Sequence, residues 1–104
     1  MSLDPDAGTL LERALCESAE AAGCPLAVRV SEMTRWASIT FTGARHLLTL
    51  DGDVSPALDA WLAALPEAEF ALRDHLVADL SVQSTRREGA AATIVLEILT
   101  VEEG

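Results

Sequence analysis

The sequence predicts an α+β fold, a two-layer sandwich in which a five-stranded, mainly antiparallel sheet carries two helices on one face. Two segments place apolar side chains at helical spacing behind recognisable cap residues, and shorter runs alternate apolar and polar residues. These segments follow one another as helix, three strands, helix, two strands. At 104 residues the chain is long enough for one core, so a single domain over residues 1–104 is expected.

The first helix is expected from Ala7 to Ala22. Asp4-Pro5-Asp6 is a start signal with Asp6 as the N-cap, and Gly23 suits the position after the C-cap. The predicted buried stripe comprises Leu10, Leu11, Ala14, Leu15, Ser18 and Ala22.

Three strands are expected between the helices. The first runs from about Pro25 to Met33 and is followed by a turn at Thr34-Arg35. The segment from Trp36 to Asp51 is predicted to form a hairpin about Gly43-Ala44, because glycine suits a tight turn. Its register would pair Phe41 with His46, Ile39 with Leu48 and Ala37 with Leu50.

The second helix begins at Ser55-Pro56, a cap residue followed by proline at the first helical position. Pro66 is expected to end it. Its apolar stripe comprises Val54, Leu58, Trp61, Leu62 and Leu65.

The closing hairpin, Ala68 to Glu103, is the element against which the rest is expected to pack. Its two runs meet at Arg87-Glu88-Gly89, where Gly89 can take a positive φ. A bend or bulge is predicted near Arg73-Asp74, with a long strand after it. The second run is apolar on both faces, which is typical of a strand covered on both sides. The first run places on one face Phe70, Leu72, Leu76, Ala78, Leu80 and Val82.

Charge and composition exclude several classes of function. The chain has 17 acidic and 7 basic residues, all of the latter arginine, for a net charge of -10. Because such a charge repels phosphates, we expect no nucleic-acid partner and no membrane binding. Since the sequence has neither a long apolar run nor a signal-peptide pattern, a cytoplasmic location is expected. Met1–Leu3 and Glu103–Gly104 are expected to be cloning remnants.

The sequence indicates no catalytic residue, no cofactor and no metal site. Cys16 and Cys24 are spaced for neither zinc nor a redox pair, so both are expected to be free thiols. Glu12 and Glu20 lie one turn to either side of Cys16 and would disfavour its thiolate.

A sheet with both helices on one face leaves its other face uncovered. A homodimer through that face, or through the edge of the closing hairpin, would cover its apolar residues, and the alternative is a monomer with scattered exposed ones. The predicted interface comprises Trp36, Leu47, Val77, Val95, Leu99 and Val101. The leading hypothesis is therefore a non-enzymatic domain that self-associates or binds a protein partner.

The alternative hypothesis is a small-molecule binding protein or minor enzyme. The two histidines, His46 and His75, are expected on opposite sides of the sheet, so one site using both is disfavoured. His75 is the better candidate, because polar residues on the uncovered face could join it in a pocket for an anion. The predicted pocket comprises His75, Arg73, Arg29, Ser38 and Asp79.

The order helix, three strands, helix resembles double-stranded RNA-binding domains in topology. The second helix of that family begins with lysines that hold phosphates. Here the corresponding stretch is Asp51-Gly52-Asp53-Val54-Ser55-Pro56, so the resemblance does not extend to RNA binding.

Three parts of the sequence resemble small acidic uncharacterised proteins of alphaproteobacteria. They are Arg35–Ser38, Phe41–His46 and Ala68–Asp79. The lysine-free composition, rich in alanine and arginine, is consistent with such a source. The resemblance implies no known activity and assigns no functional residue.

Overall fold

The structure, a computed structural model, describes residues 6–103. Within that range the strands form one antiparallel sheet of order β1-β2-β4-β3. The fold is α+β as predicted, but the prediction of five strands is wrong because these residues form four. The elements are α1 (Ala7–Ala21), β1 (Ala27–Ala37), β2 (Thr42–Asp53), α2 (Pro56–Ala64), a 3₁₀ helix (Leu65–Glu67), β3 (His75–Glu88) and β4 (Ala91–Glu102).

The strand count differs because the chain reverses at a different place. Thr34-Arg35 lies inside one continuous strand, β1, and the hairpin turn falls at residues 38–41 instead of Gly43-Ala44. Ser38 N–H donates to the Phe41 carbonyl at 2.7 Å, and Ser38 Oγ accepts the Phe41 N–H at 3.0 Å. Serine closes turns by such local bonds. The predicted pairs are replaced by Ala37 with Thr42, Met33 with His46 and Ser31 with Leu48.

Both helices begin at the predicted caps. Asp6 Oδ1 accepts the Thr9 N–H at 2.8 Å, and Ser55 Oγ accepts the Leu58 N–H at 3.0 Å. After α1, Gly23 has a φ of 85°, which favours glycine. The helix boundaries were predictable because cap chemistry is local in sequence.

One hydrophobic core fills the space between the helices and one face of the sheet. Trp61 Nε1–H donates to Ser18 Oγ at 3.0 Å and so joins α2 to α1. Both helices therefore lie on the same face, as predicted. The largest contributors are Leu11, Leu15, Leu48, Leu50, Leu58, Trp61, Leu65, Ile94, Leu96 and Ile98.

Two β-bulges in β3 change which side chains face the core. The register shifts between Val77 and Asp79 and again between Val82 and Ser84. An extra residue in one strand moves the following side chains to the opposite face. Leu76 is consequently 54% exposed, whereas Val77 packs against the core, so both of their predicted positions are wrong. The predicted bend is confirmed as a turn at residues 73–74 that precedes β3.

Two strands lie between α1 and α2 in the described chain, so the predicted topology of RNA-binding domains is wrong. The residues expected to be remnants, Met1–Leu3 and Gly104, lie outside the described residues, as do Asp4 and Pro5 of the start signal. Glu103 N–H donates to the Asp74 carbonyl at 2.9 Å and belongs to the fold. Among residues 6–103, neither helix is long and apolar enough to cross a membrane.

Candidate functional site: an open sheet face

The sheet face opposite the helices, called the open face below, has no covering element among residues 6–103. All four strands contribute apolar side chains to it. Val30, Leu47 and Leu76 are exposed, and Trp36 and the three side chains on β4 are half-buried. Leu47 on β2 lies diagonally between Val95 and Leu99 on β4, so the apolar residues meet at the centre. The apolar set is Val30, Trp36, Leu47, Leu76, Val95, Leu99 and Val101.

Trp36 is the largest side chain on the open face. It pairs across the strands with Gly43, and the absence of a side chain there lets the indole lie against the backbone of β2. Its Nε1–H is buried and has no hydrogen-bond partner among the described residues. Tryptophan is enriched at protein interfaces, where its N–H usually finds a hydrogen-bond partner.

The open face also carries charges of both signs. Arg45 Nε lies 3.8 Å from Glu97 Oε1, and Arg29 Nε lies 3.1 Å from Asp51 Oδ2. The other charged residues along the strands are Glu32, Asp79, Arg86 and Glu88. With Asp53, three arginines share the open face with six carboxylates, a formal charge of -3. The open face thus carries -3 of the chain's net charge of -10 and three of its seven arginines.

The structure brings five of the six predicted interface residues together. Trp36, Leu47, Val95, Leu99 and Val101 share the open face. Val77 does not, because the bulge turns it toward the helices. Sequence reasoning missed Leu76 for the same reason and missed Val30 because a register shift precedes it.

The predicted anion pocket is not assembled. Asp79 lies on the open face, Ser38 is in the hairpin turn, and Arg29 pairs with Asp51 near the far end of the sheet. The Arg73 carbonyl accepts the His75 Nδ1–H at 2.8 Å, and Arg73 Nε lies 3.9 Å from Asp74 Oδ2. His75 itself lies on the helix side of the sheet, because Glu102, its partner across the strands, is on that side.

His75 instead lines a cleft of about 230 Å³ at the N-terminus of α1. Within it Arg35 Nη2 donates to Glu102 Oε1 at 3.2 Å, and Thr42 Oγ1 donates to Glu102 Oε2 at 2.5 Å. No three His, Cys, Asp or Glu side chains in the described chain gather as metal ligands. The polar lining comprises Asp6, Arg35, His75, Thr100 and Glu102.

His46 is buried next to this cleft, on the same side of the sheet as His75, so the prediction of opposite sides is wrong. Its Nε2 lies 2.8 Å from Thr100 Oγ1, and the Thr100 hydroxyl donates to the Ala44 carbonyl at 3.4 Å. The hydroxyl therefore accepts Nε2–H, which leaves a lone pair on Nδ1. Nδ1 is buried without a partner among residues 6–103. Burial lowers the pKa of His46, an effect that Asp6 opposes and His75 reinforces.

Both cysteines are free thiols. Burial raises the pKa of the Cys16 thiol, and the carboxylates of Glu12 and Glu20 raise it further. Burial also raises the pKa of Cys24. Neither thiol therefore has the lowered pKa of a reactive cysteine.

Two helices on one side of an antiparallel sheet of order β1-β2-β4-β3 define a two-layer α+β domain with an open sheet face. The chain matches no protein-family model, no curated protein and no solved structure.

Proposed function

We propose that this chain is a non-enzymatic, self-associating domain that forms a homodimer through its open sheet face. The observation that supports this most strongly is the set of seven apolar side chains, contributed by all four strands, on a face that the described residues leave uncovered. Contiguous apolar patches on folded proteins commonly mark interaction sites. Self-association would remove this patch from water.

The open face is large enough for a stable interface. Four strands spaced about 4.8 Å apart, over about ten residues of about 3.3 Å each, give a flat area of roughly 600 Å². This area is at the lower end of the roughly 600–1,000 Å² that each partner buries in a standard interface.

The charge distribution favours a second copy as the occupant. Two chains of net charge -10 repel one another over most of their surfaces. The open face, with three arginines among six carboxylates, offers the arginines of each copy to the carboxylates of the other. A strongly basic partner would fit the more acidic remainder of the chain better.

The test compares two matched substitutions by size-exclusion chromatography with light scattering. Leu47 is 37% exposed on the open face, and Val54 is 36% exposed between β2 and α2. The unmodified chain and Val54→Glu are expected to be dimers, whereas Leu47→Glu is expected to be a monomer, because its carboxylate would be buried at the interface. A monomeric unmodified chain, or a Leu47→Glu variant that remains dimeric, would contradict the proposal. If the unmodified chain is a monomer and a different protein binds it at Leu47, the open face binds a protein partner instead of a second copy.

A second candidate function is binding of a small polar molecule in the cleft beside His75. The buried Nδ1 of His46, unpartnered in the described chain, and the Arg35–Glu102 pair support it. The test measures the melting temperature of the chain in the presence of each of a set of free amino acids and small carboxylates. Stabilisation that persists unchanged in His75→Ala would rule this site out, since the ligand would then bind elsewhere.

A cytoplasmic location is part of the same proposal. Cys16 and Cys24 are both unbridged, and free thiols are typical of reducing compartments. Recovery of the native chain outside the cytoplasm by cell fractionation would contradict this location.

A further inference from the structure

We propose that the two copies pack open face to open face about a two-fold axis perpendicular to the strands, with Asp79 of one copy opposite the partner's Arg86. This inference rests on the homodimer proposed above. It adds the register of the dimer and the residues that select a second copy as the partner. A pattern of charges on β3, repeated with reversed sign on β2, supports it.

On β3, Asp79 and Arg86 project from the open face in different rows of the sheet. Asp79 pairs with Leu99 of β4 and Arg86 with Thr93. The two rows are six residue positions apart along β4, so the two charges lie about 20 Å apart. Neither has an ion-pair or hydrogen-bond partner within residues 6–103. Each is therefore available for a contact outside its own chain.

On β2, the same two rows carry charges of the opposite sign. Arg45 lies opposite Leu99, and Asp51 lies opposite Thr93. In one row the chain thus presents Arg45 and Asp79, and in the other Asp51 and Arg86. A face with this pattern is complementary to its own copy turned end for end.

A two-fold axis perpendicular to the strands, midway between the two rows, exchanges the rows and leaves each strand over its counterpart. Asp79 then faces the partner's Arg86, and Arg45 faces the partner's Asp51. By symmetry each contact occurs twice. Stacked sheets lie about 10 Å apart, a distance that arginine and aspartate side chains can span together. The two rows between are exchanged as well, so Leu47 faces the partner's Thr49 and Val95 faces the partner's Glu97.

The alternative axis, parallel to the strands and between β2 and β4, is disfavoured by the same residues. It would exchange β1 with β3. Arg86 would then face the partner's Arg29, since both lie at one end of the face. Like charges placed opposite one another oppose association.

Charge reversal tests the register. In Asp79→Arg homodimers two arginines would meet at each of the two contacts, and in Arg86→Asp homodimers two carboxylates would meet. Each variant is expected to dimerise at least about tenfold more weakly than the unmodified chain, because like charges are placed opposite one another. Glu17→Arg and Arg13→Asp are the matched controls: they make the same changes of net charge on the exposed side of α1.

Mixing the two variants provides the decisive experiment. In a mixed dimer the arginine introduced at position 79 faces the aspartate introduced at position 86, and the native Arg86 of one copy faces the native Asp79 of the other. Sedimentation velocity of an equimolar mixture is expected to show a heterodimer of nearly unmodified affinity. The double variant D79R/R86D is expected to recover self-association. Circular dichroism of each variant confirms that it is folded.

The outcomes separate the two proposals. If the unmodified chain is a monomer, the homodimer and its register are both wrong. If it is a dimer and the reversals associate as the α1 controls do, the register is wrong while the open-face dimer stands. If the reversals weaken association but neither the mixture nor the double variant restores it, the register is also wrong.

Discussion

The indole of Trp36 lies against Gly43, its partner across β1 and β2. A Cβ at position 43 would come within 2.7 Å of the indole Cζ2 and within 2.0 Å of the Thr100 carbonyl oxygen. Gly43 is therefore required for close approach of a side chain and a neighbouring strand. The largest apolar residue of the open face depends on this one position.

Gly43→Ala is expected to destabilise the fold by about 1–3 kcal/mol, because the added methyl group overpacks a site bounded by backbone. Gly8→Ala is the control, since a Cβ there would meet Asp6 Oδ1 at an ordinary 3.5 Å within α1. That variant should be neutral or more stable. Urea unfolding in the Leu47→Glu background measures both without a contribution from association. Equal stabilities of the two variants would contradict the account of Gly43.

Ser18→Ala is expected to cost about 1–3 kcal/mol, because it removes the hydrogen-bond acceptor of the buried Trp61 Nε1–H. In the Trp61→Phe background the same substitution should cost much less, since no indole donor is left unpaired. A double-mutant cycle measured by urea unfolding gives the coupling between the two residues. If the effects of the two substitutions on the free energy of unfolding are additive, this hydrogen bond contributes no coupling free energy between the helices.

His46 is expected to make stability depend on pH near neutrality. Burial holds the pKa of His46 below its ordinary value of 6.5, so the unfolded chain takes up the proton first as the pH falls. The contribution of neutral His46 to stability is therefore present above about pH 6.5 and is lost at lower pH, with a slope of at most about 1.4 kcal/mol per pH unit for one proton.

The free energy of unfolding should thus fall more steeply between pH 8 and pH 5.5 for the parent than for His46→Gln. Asp6 does not contribute to the change in stability over this pH range. Its hydrogen bond with Thr9 lowers its pKa from 3.8, so its contribution to stability is lost only at more acidic pH. Parallel curves for the parent and the variant would contradict the role of His46.

The bulge in β3 predicts opposite responses at adjacent positions. Val77→Ser is expected to cost about 1–2 kcal/mol, because Val77 packs against the core, whereas Leu76→Ser should cost less than about 0.5 kcal/mol. Both are best measured in the Leu47→Glu background. A larger effect at Leu76 would mean that β3 follows the uninterrupted alternation of its sequence.

The helices could be predicted from the sequence because their signals are local. Asp6, Ser55 and Gly23 act within a few residues of where they stand, and each has its predicted role. The closing hairpin was predictable for the same reason, with Gly89 at positive φ between two long strands.

The sequence could not show where tertiary contacts override local preference. Gly43 suits a turn, but the fold uses it for close approach, and Ser38 closes the turn instead. The bulges in β3 exchange Leu76 and Val77, which no alternation of residue types reveals. His75 moved to the helix side with them, so the predicted anion pocket was lost while most of the predicted interface remained.

The measurement that tests the central claim most directly is hydroxyl-radical footprinting of the unmodified chain at low and high protein concentration. If a second copy covers the open face, oxidation of Trp36, Leu47 and Leu76 will fall at high concentration. Oxidation of Met33, which is 43% exposed on the helix side of β1, will stay constant. Unchanged oxidation of all three open-face residues, at concentrations where Met33 gives the same yield, would contradict the account.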